Sequence, residues 1–137
     1  MGTVLGAGWI FDRLLCRAYI RQKPDTVPIR AFHSDTRGIW TNTLQIESIP
    51  LPIGNNQWKY DGTPFYAYNT SMNSSLLKPV WRYWNRINHG TEDVSEPRRS
   101  YLQLGELSDG DNLPGWQLER ILFYAFSPEM NVTELNN

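Results

Sequence analysis

"WKYDGTPFYAYN", residues 58–69, decides how this chain is read, because it occurs three times. "WIFDRLLCRAYI" starts at Trp9 and "WQLERILFYAFS" at Trp116, and the three align without a gap. Tryptophan recurs at the first position. An apolar residue recurs at the third (Phe11, Tyr60, Leu118) and an acid at the fourth (Asp12, Asp61, Glu119). The eighth position holds Cys16, Phe65 and Phe123; the tenth is always alanine (Ala18, Ala67, Ala125); the eleventh is aromatic (Tyr19, Tyr68, Phe126). A fixed self-similarity of this kind marks a fold built from repeated supersecondary units.

A second motif runs between the copies. "VPIRAFH" at 27–33 matches "PVWRYWN" at 79–85, pairing Arg30 with Arg82, Phe32 with Trp84 and His33 with Asn85. The tryptophans are spaced by 49 and then 58 residues. The unit is rich in β-formers and bounded by Gly, Pro and Asn. In "PFYAYN" side chains alternate, with Phe65 and Ala67 on one face and Tyr66 and Tyr68 on the other. "SDTRG" at 34–38 reads as a hairpin turn with "IWTNT" returning, and Asp61-Gly62 reads as a second turn. Helix is expected only locally, at 43–48 and 98–106. Nine prolines and ten glycines oppose a helical bundle.

The reading is one all-β repeat domain over 1–137, β-trefoil-like, with repeats of about 45–58 residues starting near Trp9, Trp58 and Trp116 and an insertion at 86–113. A small propeller-like array is the alternative, disfavoured because propellers need at least four blades. Four short strands per repeat are expected. The strands counted this way fall short of twelve, and uncovered edge strands invite pairing with a second copy, so a homodimer is expected.

"WKYDGTPFYAY", "PVWRYWN" and "PGWQLERILFYAF" resemble a tandem-repeat family of unknown function found in bacteria and basidiomycete fungi, often beside secreted hydrolases. Its repeat runs "PVYRFWNP.TG.HFYT", then "W.YEGIAFYAY". The resemblance covers most of 8–127 and departs from the pattern between Asn85 and Leu113. It implies surface glycan binding by analogy of company, and no activity carries over by residue.

Composition narrows the function. The chain is 40% hydrophobic and 20% charged, with net charge −1, so it reads as globular with no basic stripe for nucleic acid. No apolar run reaches the length of a membrane span. "MGTVLGAGWIF" has no signal-peptide pattern and the single cysteine forms no internal disulfide; a cytoplasmic location is expected, or a secreted one if a leader has been removed. Sequons at Asn69, Asn73 and Asn131 matter only in the secreted case. Two histidines at unrelated spacing and one cysteine provide neither a metal-ligand motif nor a nucleophile with its base, so a hydrolase or nuclease is disfavoured and no metal or cofactor is expected.

The repeated residues have an architectural explanation. Trp9, Trp58 and Trp116 are expected in the core. Cys16 fills a phenylalanine slot, as a small hydrophobe would. Arg30 and Arg82 are expected to bridge to the recurrent acids Asp12, Asp61 and Glu119. What remains is aromatic and polar: Trp81, Tyr83, Trp84 and Asn85, with His33, Trp40, His89 and Tyr101. Aromatic planes suit the apolar face of a sugar and Asn, His or Asp suit its hydroxyls. The expected function is a non-catalytic, lectin-like module for glycans or glycoproteins, with two or three similar pockets. The alternative is a protein-binding module, such as a protease inhibitor, acting through loop 85–113.

Overall fold

The structure is a computed structural model and describes residues 4–6, 9–10, 14–36, 39–47, 49, 57–85, 100–104 and 115–131. Residues 4–6, 9, 10, 36, 39, 85, 101 and 103 are described by their backbone alone. The fold is all-β, with no helix among the described residues. Strands β1 (Val4–Gly6) and β2 (Trp9–Ile10) pair as a small antiparallel ribbon. Strands β3 (Val27–Thr36), β4 (Ile39–Gln45) and β5 (Lys59–Ala67) form one antiparallel sheet in the order β4-β3-β5. Strands β6 (Leu77–Asn85), β7 (Ser100–Leu104) and β8 (Trp116–Phe126) form a second in the order β7-β6-β8.

The two sheets are the same object built twice. Each has the arginine strand in the centre, its return strand on one side and the tryptophan strand on the other. The prolines show why this register is permitted. Pro28 and Pro79 sit where the central strand has a neighbour on one side only, because β4 joins β3 from Arg30 and β7 joins β6 from Val80. A residue without an N–H is tolerated there and not in the doubly paired stretch beyond.

Three expectations are corrected. The tryptophan segment and "FYAY" are one continuous strand of 9 residues in β5 and 11 in β8, so among the described residues each of the two sheets has three strands where four per repeat were expected. Asp61-Gly62 is no turn; it is a bulge inside β5, where Gly62 faces Ala31 with φ 105°. That positive φ is open to glycine and strained for other residues. Within the local helices expected at 43–48 and 98–106, residues 43–45 and 100–104 are strand, the end of β4 and the whole of β7. Cross-strand pairing overrode weak local propensity in both.

The three motif copies meet at their "xAx" ends in cyclic order. Tyr19 of the first exchanges both backbone hydrogen bonds with Tyr66 of the second, at 3.0 and 2.7 Å. Tyr68 exchanges both with Tyr124 of the third, at 3.0 and 2.7 Å, and Phe126 closes the ring on Arg17, at 3.0 and 2.8 Å. Each copy's eleventh residue is thus bonded to the next copy's ninth. Alternation then sends the eighth and tenth residues inward. Ala67 and Ala125 are buried, Ala18 and Cys16 pack on the same core cluster, and the Phe65 and Phe123 rings meet edge to face at 5.7 Å. The eleventh residues point to the other side, where Phe126 stands nearly perpendicular to both Tyr19 and Tyr68. Burial, then the neighbouring Tyr19, raise the Tyr68 phenol above its ordinary value.

Cys16 lies against this core, and burial pushes its thiol up to about 11. The folded state therefore keeps the proton that the unfolded chain loses first. Its contribution to stability is complete below the ordinary thiol range and is lost as pH rises towards about 11. In the native protein near neutral pH, a thiol-directed reagent should label Cys16 far more slowly than in the denatured chain. Equal labelling rates would remove the thiol from the core.

Candidate functional site

The β3–β4 hairpin assembles the site. His33 lies opposite Asn42 and Asp35 opposite Trp40, so the two-residue period of a strand puts all four on one face. Lys59 of β5 stands opposite His33 on the other side. The reverse face is packed, since Ser34, Thr41 and Thr43 are buried. The site face is open: Trp40 is 48% exposed.

The side chains are held in place. The Trp40 indole lies flat on the His33 ring, with centroids 4.3 Å apart and planes within 7°. Its Nε1 donates to Asn42 Oδ1 at 3.0 Å. His33 Nδ1 approaches both Asp61 carboxylate oxygens, at 2.6 and 2.7 Å. A carboxylate only accepts, so Nδ1 carries the proton of this bond. The result is a rigid, solvent-facing aromatic plane bordered by two aspartates, an asparagine and a histidine. Among the described residues no group of three or more side chains is placed to hold a metal ion.

The second sheet uses its arginine and its acid for packing. Arg82 is fully buried. Its Nε and Nη2 grip Glu119, Nη2 to Oε2 at 2.9 Å. Its Nη1 donates to Leu44 O at 2.6 Å and Gln45 Oε1 at 2.7 Å, both at the end of β4 in the other sheet. Trp84 stacks under the guanidinium at 4.6 Å and donates its Nε1 to Glu119 Oε1 at 2.7 Å. Glu119 occupies the motif position of Asp61, and Trp84 that of Phe32. Phenylalanine has no donor to offer, and Arg30 turns outward to the exposed Glu47 at 3.4 Å. Asp61 is thereby left to His33. The expected arginine–acid bridge is made by Arg82 and Glu119, and not by Arg30 and Asp61.

The expected aromatic cluster on β6 is corrected in the same terms. Tyr83 is fully buried and Trp84 is 7% exposed, so neither faces solvent as a ligand platform. A bulge between Arg82 and Tyr83 breaks the simple alternation on which that pocket was expected. Trp81 is half-buried. Asn85 and Tyr101 lie on β6 and β7, their side chains outside the described residues; His89 lies outside them altogether, as do Asp12 and most of 85–113. Trp58 is buried and Trp116 half-buried, while only the backbone of Trp9 is described. His33 and Trp40, both expected site residues, are brought into contact.

Asn42 and Asp35 were missed as site residues. Their signal was present: "WTN" puts Trp40 and Asn42 on one strand face, and the hairpin turn registers them against Asp35 and His33. Comparison with known proteins finds no matching family model, no matching curated protein and no matching solved structure.

Proposed function

We propose that this protein binds carbohydrate without chemistry, at a site centred on Trp40. The observation that carries the reading is the exposed Trp40 indole, fixed by a stack on His33 and a hydrogen bond to Asn42. An aromatic plane held still before the ligand arrives avoids much of the ordering cost of binding. A pyranose covers such a plane with its apolar face and presents its rim hydroxyls to carboxylate and amide oxygens. Among the described residues one such site is seen, and in the second sheet the acid at the Asp61 position, Glu119, binds Arg82 instead. The cyclic meeting of three motif copies supports a trefoil-like arrangement behind it.

Trp40→Ala tests the reading. Trp40 is half exposed, so losing its stack and its hydrogen bond should lower stability by about 1–2 kcal/mol and leave the fold intact. Retention on a glycan array should be lost together with any ligand-induced change in tryptophan fluorescence. A blank array with folded wild-type protein overturns the proposal, as does full retention by the variant.

A further inference from the structure

The polar groups around Trp40 are not equivalent. Asp61 already balances His33, and the Asn42 carbonyl already accepts from Trp40. Asp35 is exposed and makes no hydrogen bond or ion pair among the described residues. It stands directly opposite Trp40, where Cβ atoms of a cross-strand pair are about 4.5–5.5 Å apart. Lys59, across from His33 on β5, is diagonal to Asp35 at about 7–8 Å by strand geometry and makes no ion pair with it. The Trp40 end of the site therefore combines a carboxylate that has no partner among the described residues with the side chain best suited to cation–π contact.

Resting on the carbohydrate reading above, we propose that the ligand carries a protonated amine seated between Asp35 and Trp40, as a glucosamine residue does. The ammonium donates charge-assisted hydrogen bonds to Asp35 while its neighbouring ring carbons lie on the indole. N-acetylation removes the charge and replaces it with a neutral amide, which Asp35 binds less strongly.

Binding of a β-linked glucosamine oligomer and of its N-acetylated counterpart, followed by tryptophan fluorescence under mildly acidic conditions, tests this. The amine form should bind roughly tenfold more tightly, as the gap between charged and neutral hydrogen bonds implies. Asp35→Asn should bring the two affinities together, with an unchanged melting curve as the check on folding. Equal affinities in the wild type overturn the amine assignment and leave the carbohydrate reading standing. So does a preference that survives Asp35→Asn, since it would then come from the protein's general charge. Absence of binding to both oligomers and to every glycan of an array overturns both.

Discussion

Replacing Arg82 with methionine should lower the unfolding free energy by about 3–5 kcal/mol, read by urea denaturation with tryptophan fluorescence. The size follows from what the guanidinium leaves behind. Glu119 loses a two-pronged partner; the Leu44 carbonyl and Gln45 Oε1 lose their donors in a buried seam between the sheets. An acceptor stripped of its partner and shut off from water costs its full desolvation. Methionine fills much of the volume but supplies none of these donors. Arg82→Lys is the informative companion. It keeps the charge but not the fork, so it cannot reach Glu119 and the end of β4 together, and it too should be clearly destabilised. A methionine variant as stable as wild type would show that the seam is held by apolar packing alone.

Phe123→Ala should cost a similar amount, about 3–5 kcal/mol. Phe123 is 1% exposed and lies beside Leu122 and Ala125 in the core cluster, edge to face with Phe65. Removing the ring takes its transfer free energy and opens a cavity. The backbone around that cavity is tied by the mutual hydrogen bonds of the neighbouring Tyr124 to Tyr68 and of Phe126 to Arg17. Strands closed in a ring collapse poorly into a void, which places this site towards the costly end. Chemical denaturation measures it directly; a loss under about 1 kcal/mol would mean that the three copies do not share a core at this position.

Much of the fold could be read from the chain. The period-two pattern of "PFYAY", the proline ahead of each arginine and the turn at 34–38 are local signals, and the β3–β4 hairpin and the threefold use of alanine follow from them. The inward alanine also fits its surroundings: Ala67 and Ala125 are buried in the shared core, where overpacking by a larger residue costs stability. The continuous β5 and β8 were harder to see, since "DG" is a common turn pair and only the opposing strand turns it into a bulge.

The site was half legible. Trp40 and His33 were candidates from composition, but nothing in the sequence separated them from Tyr83 and Trp84. Those four differ in what lies across from them. Tyr83 and Trp84 belong to a sheet whose arginine reaches across to the end of β4, whereas His33 and Trp40 lie on the face turned away from that seam. The chain by itself determined the repeat, the strand class and the recurrence of one acid per copy, because propensity and alternation act over a few residues. Tertiary structure decided what each acid does. Of the two recurrent acids among the described residues, Glu119 neutralises a buried arginine and Asp61 orients a half-buried histidine, because hydrogen bonds act only over about 3 Å and the donor within that reach is supplied by a different strand.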